Sequence, residues 1–344
     1  MSDKEELIKY LNGSQLPALS QSAMQVIELS RDPDNGPQEY AKPISADPGL
    51  TAQILRFVNS SFFGLSHKIV SVPLALTLVS VRTIRNFILW NGLFATFPNP
   101  CCGSFSLITL FQDALRRAVF ARNVAEHYTR IDAEEAFTCA LMQDIAVPLL
   151  VQNWRNEYAK MFKSTSTGHV RLSKLEREVM GWEHAEAGAI LAEGWKLGET
   201  VNRAVSKHID ETPAHIHTCE PTLNTITALS ALLPKISDRE WFEVLNFVDA
   251  FRRMFGRKLA DISTLIDKTD TITNQLTGLI NKEAIPKSLN EFWQETLNGN
   301  SCVGDKNDPA TEEQLDEYFT QAAMQPQTVF GPVWVGMTQE PGFR

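Results

Sequence analysis

The chain has 344 residues, 43% of them hydrophobic, which is enough to bury a sizeable core in one large or two ordinary domains and excludes a disordered chain. Thirty-two Lys and Arg against 41 Asp and Glu leave a formal charge of −9, so the net field repels a phosphate backbone and no direct nucleic-acid partner is expected. The N-terminus MSDKEELIKYL is charged from its third residue, and no apolar run reaches bilayer length, so neither a signal peptide nor a membrane partner is expected.

Helix signals fill the chain from its start. Ser2 and Glu5 form a capping-box pattern ahead of Leu7 and Leu11, with Gly13 as the stop. In DPGLTAQILRFVN, Asp47 caps, Pro48 suits the first helical position, and Leu50, Ile54, Leu55 and Val58 line one face. Ser80 opens a helix running through Ile84, Phe87, Ile88 and Leu93, and Asp132 with Glu135 opens AEEAFTCALMQDIAVPLLV. Amphipathic segments follow near 105–128, 172–180, 184–195, 199–208, 221–234, 239–255 and 262–282. Alternating Val-rich runs closed by N-G or D-G turns are missing, so the fold class is all-α.

Near residue 298 the composition turns polar, with NGNSCVGDKNDPAT reading as a linker. Beyond it lie a short amphipathic stretch and a Pro-containing, partly extended tail. The tail's Phe330, Val333 and Trp334 are costly to leave in water, which marks them as candidate contacts.

Five cysteines, with one vicinal pair and no C-x-x-C spacing, suggest neither a disulfide framework nor a zinc knuckle and fit a reducing cytoplasm. Arg116-Arg117 and Arg252-Arg253 sit at helical spacing among apolar residues, where a solvated face is the simpler reading. His215, His217 and Cys219 crowd one loop, a pattern that takes adventitious metal more often than functional metal. No phosphate-binding Gly loop, G-x-S-x-G or H-E-x-x-H motif occurs.

Three blocks, LPALSQSAMQVIEL at 16–29, ISADPGLTAQILRFVNSSFFGL at 44–65 and SVPLALTLVSVRTIRNF at 71–87, resemble the HDOD domain, the HD-related output domain of bacterial signalling proteins. Weaker similarity continues to about residue 210 through LFQDALRRA, ALMQDIAVPLL and WEHAEAG. The resemblance implies a multi-helix, HD-like bundle over 1–285, with an N-terminal helical part at 1–100 and an HD-like part at 101–285. A linker and tail occupy 286–344 in this reading.

An HD-type site gathers His and Asp side chains around one or two divalent metals that activate water on a phosphoester. By resemblance its positions fall here on Asp113, Gln143, Asp144, His184 and His208, and the closing Asp has no evident counterpart. A neutral Gln supplies neither the imidazole nor the anion that makes such a site tight. The site is therefore read as vestigial, with no catalytic residue, metal or other cofactor, and Asp144 is expected to pair with a neighbouring Lys, Arg or His. The runner-up is a divergent metal-dependent phosphohydrolase, and a third option is nucleotide sensing in the vestigial pocket. The resemblance implies a non-catalytic regulatory module working through signalling proteins; the residues themselves mark Asn59, Phe62, Phe63, Phe330 and Trp334 as candidate partner contacts.

Overall fold

The computed structural model describes residues 3–299 apart from 14–19, 30–31, 33, 61–62, 97–99, 101, 166–169, 196, 210–220, 257 and 281–284. Phe62, His215, His217, Cys219, Phe330, Val333 and Trp334 therefore lie outside the described residues.

In chain order the helices are α1 (Asp3–Gly13), α2 (Gln21–Leu29), α3 (Pro37–Ala46), α4 (Pro48–Val58), α5 (Val72–Leu78) and α6 (Val81–Thr96). Next come α7 (Leu107–Tyr128), α8 (Ala133–Met142), α9 (Val147–Asn153), α10 (Arg155–Thr165), α11 (Leu172–Met180) and α12 (His184–Gly194). The last are α13 (Glu199–Lys207), α14 (Leu223–Ala231), α15 (Val244–Phe255), α16 (Leu259–Ile280) and α17 (Leu289–Gly299). No strand occurs among the described residues, so the architecture is all-α.

Local chemistry sets the helix starts. Asp47 accepts from Leu50 N at 3.0 Å, and Asp132 accepts from Glu134 N at 2.8 Å and Glu135 N at 3.0 Å. Each cap satisfies amide donors that a first turn leaves open. Helices α10 and α17 were harder to anticipate, because their polar composition hides a short stripe: Tyr158, Met161 and Phe162 in one, Leu289, Phe292 and Trp293 in the other. Leu289, Phe292 and Trp293 are all fully buried in the main apolar cluster, so α17 packs one face onto the helical body. Burying side chains of this size stabilises by about 1.5–3 kcal/mol each.

One apolar cluster runs from Ala23 on α2 to Trp293 on α17. A second, smaller one gathers Leu7 and Leu11 of α1 with Val147, Leu150, Tyr158, Trp182 and Leu191. Tyr10 donates to the Leu149 carbonyl at 3.2 Å, so the first helix is tied to α9. Helix α7 runs through the middle, packed by α8, α14 and α16, and is buried almost all round between Phe111 and Ala121. Any charge on that stretch has to be answered from inside the protein.

The corner at Asn59 is also built from polar groups turned inward. Its side-chain Nδ2 donates to the carbonyls of Leu55 and Ile69, each at 2.7 Å, and its Oδ1 accepts from Ile69 N at 2.7 Å. Phe63 packs edge-on against Phe57, with ring centroids 4.9 Å apart.

Candidate functional site

Asp113 and Arg117 lie one turn apart on α7, and Gln143 and Asp144 occupy the turn between α8 and α9. His184 is the first residue of α12, and His208 follows α13. Helices α12 and α13 approach so closely at Gly188 that a Cβ there would meet Val205 Cγ1 at 2.7 Å. Only glycine permits that approach, which brings the two histidines to the same place.

The structure gathers Asp144, His184 and His208, with one ligand atom from each lying within 4.8 Å of the others. Arg117 Nη1 is paired with Asp144 Oδ2. His184 Nε2 lies 3.2 Å and His208 Nε2 3.7 Å from Asp144 Oδ1. Behind His184 stands Glu176, fully buried on α11. Its Oε2 accepts from His184 Nδ1 at 2.5 Å and from His184 N at 2.9 Å, while its Oε1 accepts from Tyr158 at 2.6 Å. A chain of charges thus runs Arg117, Asp144, His184, Glu176, ends on the Tyr158 hydroxyl, and links α7, α12, α11 and α10.

The electrostatics follow from this chain. Burial pushes the Asp144 carboxyl up, but the Arg117 guanidinium and the two histidines outweigh it and hold it well below the usual carboxylate range. Burial likewise opposes the charged form of His184. The carboxylates on either side overcome that and raise it to about 10, an imidazolium donating from both nitrogens. His208 is lowered by burial and by the charge of His184; its Nδ1 donates to the Val205 carbonyl at 2.6 Å, which leaves Nε2 bare in the neutral ring.

Asp113 lines the same cavity beside this cluster. Its Oδ1 accepts from Ile236 N at 2.9 Å, and burial raises its carboxyl to about 6 in spite of Arg117 and Arg116 nearby. Gln143 does not join the cluster: it is fully buried, lies away from the cavity lining, and both its side-chain polar atoms lack a hydrogen-bond partner.

A divalent cation of the HD type would need open ligand atoms on Asp144, His184 and His208. Asp144 Oδ2 is engaged by a permanent guanidinium charge, and His184 donates from both nitrogens to carboxylates, Asp144 Oδ1 among them, so of these three residues His208 Nε2 alone is uncommitted. Gln143, at the position where the family's ligand His would stand, faces elsewhere. In this arrangement Asp144 and His184 are committed to partners within the protein, which disfavours them as ligands of a resident metal.

Sequence reasoning missed four members of the site. Arg117, in sequence part of a solvated face, falls four residues after the oppositely charged Asp113 on α7, and that spacing was the available signal. Glu176 occupies the apolar stripe Leu172, Glu176, Met180 at a spacing of four, where a carboxylate needs an internal partner. Asp238, raised by burial, lines the cavity although no closing Asp was assigned. Tyr158 carried no signal beyond its place in a short apolar stripe.

Comparison with known proteins agrees with this architecture. The model of the HDOD domain matches residues 16–211. The chain belongs to the HDOD domain family. Among solved structures, a candidate phosphohydrolase from Shewanella amazonensis superposes with a TM-score of 0.59 at 19% identity, over 80% of this chain and 97% of that one. An HDOD domain protein of unknown function from Geobacter sulfurreducens gives 0.59 at 18% identity, over 79% and 99%. At such identities these likenesses show the fold alone. An uncharacterized protein of Treponema pallidum is 21% identical over 194 residues, which are 56% of this HDOD chain and 37% of that relative's length.

Proposed function

We propose that this HDOD protein is a non-catalytic regulatory module of bacterial signal transduction that acts through protein partners in the cytoplasm. The observation that carries the reading is the internal answer to Asp144: an arginine guanidinium and an imidazolium stand against the carboxylate, and Gln143 takes the place of the ligand histidine. A carboxylate compensated in this way has a structural role available to it and needs no cation. No helix among the described residues is long and apolar enough to cross a membrane, and the free thiols of Cys102 and Cys139 are in keeping with a reducing compartment.

Partner contact at the Asn59 corner would fall to Phe63, since the Asn59 amide is spent on Leu55 and Ile69. The candidate contacts Phe62, Phe330 and Trp334 complete this proposal from outside the described residues.

The deciding experiment is metal analysis of tag-free protein together with a phosphoesterase assay on bis-p-nitrophenyl phosphate with added manganese. The expected result is substoichiometric metal and no turnover. Turnover that disappears in Asp144→Ala while the helical spectrum is kept would replace this reading with the phosphohydrolase one, for which the convergence of Asp144, His184 and His208 is the favouring observation.

A further inference from the structure

Above the ion-paired floor lies a cavity of about 190 Å³ for which a purely structural role of the charges offers no use. A cavity of roughly 150 Å³ takes a benzene molecule, so this one has room for one or two fused rings. Its lining has two characters. Helix α7 contributes a polar stripe at helical spacing, Ser106, Thr109, Asp113 and Arg117. The other walls are largely apolar and partly aromatic: Phe105 and Phe162 stack with ring centroids 5.3 Å apart, and Trp241 spends its indole N–H on the Leu232 carbonyl at 2.9 Å.

Charge decides what such a cavity accepts. Arg117 is committed to Asp144, Arg171 to Glu243, and His184 to Glu176. With those pairs set aside, the lining is left with Asp113, Asp238 and Lys235, two carboxyls against one ammonium. Asp113 accepts one backbone N–H, from Ile236, and retains most of its acceptor capacity. On the same lining residue that answers Asp144, Arg117 Nε is buried without a partner, a donor left open. An anionic ligand would meet Asp113, Asp144, Asp238 and Glu243, with Lys235 and the Arg117 Nε–H the lining donors left to answer it.

We propose that the cavity is a receptor site for a compact, flat nitrogen ring system with an amidine-type edge, its adjacent N–H donors held by the Asp113 carboxylate and its ring faces held by the aromatic walls. Carboxylates take paired N–H donors in a planar, charge-assisted arrangement, which supplies the specificity, and the apolar walls supply the area. This deepens the regulatory reading and rests on it, because a metal-loaded hydrolytic site would spend the same carboxylates on the cation.

Benzamidine and benzoate share one shape and carry opposite charges, so together they test the class. Titrated into the full chain and followed by ligand-observed NMR and calorimetry, benzamidine is expected to bind saturably and benzoate is not. Asp113→Asn should weaken benzamidine by at least about tenfold, the loss of a charge-assisted pair. Leu110→Trp, which fills the cavity and leaves Asp113 in place, should abolish binding; it decides the matter if Asp113→Asn does not fold, as judged by thermal melts. Absence of benzamidine binding up to its solubility, equal binding of benzoate, or indifference to Leu110→Trp would overturn the proposal. The phosphoesterase assay reads a different outcome: turnover would sink the regulatory reading whatever benzamidine does, whereas a silent assay with no benzamidine binding sinks only the receptor.

Discussion

The corner at Asn59 and the floor at Asp144 both place polar groups in apolar surroundings, and they solve the problem over different distances. Asn59 satisfies backbone groups four and ten residues away. Asp144 is answered by Arg117 and His184, with His208 beside them, from 27 to 64 residues away in the chain. A corner of the first kind can form as soon as its own segment folds. A floor of the second kind exists only once α7, α12 and the end of α13 are assembled, so its charges report on the whole fold.

Breaking the floor should therefore have the largest effect. Arg117→Met leaves the Asp144 carboxylate buried with one of its compensating charges removed, and a loss of about 3–5 kcal/mol is expected in urea unfolding. Adding Asp144→Asn to that variant should recover part of the loss, because the stranded charge goes with it. A loss no greater than that of an exposed ion pair, below about 1 kcal/mol, would mean that the floor does not hold the helices together.

The same floor should make stability depend on pH at both ends. Asp144 and Glu176 are both held below their ordinary values in the folded chain, so what they contribute is present above the unfolded carboxylate range and lost as pH falls towards their folded values. His184 is raised from 6.5 to about 10, so its contribution is full below 6.5 and is lost as pH rises through about 10. Asp113 has the opposite sign among the carboxyls. Raised from 3.8 to about 6, it costs stability progressively as pH climbs across that interval. Chemical unfolding between pH 4 and 10 should show an alkaline decline that His184→Gln removes and a shallow acid-side slope that Asp113→Asn alters. An alkaline limb unchanged in His184→Gln would remove the imidazolium from the account.

At the corner the expected effect is smaller. Asn59→Ala removes one acceptor and two donations that tie the Ile69 strand of chain to the end of α4, for about 2–3 kcal/mol. Asn59→Asp keeps the bond from Ile69 N and loses both donations, so it should not rescue the alanine variant. Recovery of full stability by the aspartate would show that a single accepted bond carries the corner.

What was legible in the sequence follows the same division. Asp47, Ser80 and Asp132 announced their helices because a cap and its amides sit within three residues. The all-α class followed from such local signals together with the spacing of apolar residues. His184 and His208 were legible as site positions through resemblance, but their convergence on Asp144 was not, since spacing along a chain carries no information about which helices meet. Arg117 and Glu176 were hidden for the converse reason. Each looks like an ordinary charged residue on a helix until the opposite charge, far off in sequence, is placed against it. Asp113 falls between the two cases, legible as a position but not as part of a cavity, because that cavity is assembled from segments spread between Ser104 and Glu243.

The smallest expected effect is also the one that separates inherited position from present use. Gln143 is adjacent to Asp144 in the chain, fully buried, and its amide nitrogen and oxygen both lack partners. An amide desolvated without compensation is costly, and replacing it with an apolar side chain of similar length removes that cost without opening a void. Gln143→Met should raise stability by about 1–2 kcal/mol in urea unfolding. It should do so with the Arg117–Asp144 pair intact, so the gain should add to the effect of Arg117→Met, not depend on it. If Gln143→Met destabilises instead, the amide has a partner in solution, such as a bound water or a ligand, and position 143 is still in use. If it stabilises as expected, the floor has kept its charges at 144, 184 and 208 while the residue beside them has lost its polar task.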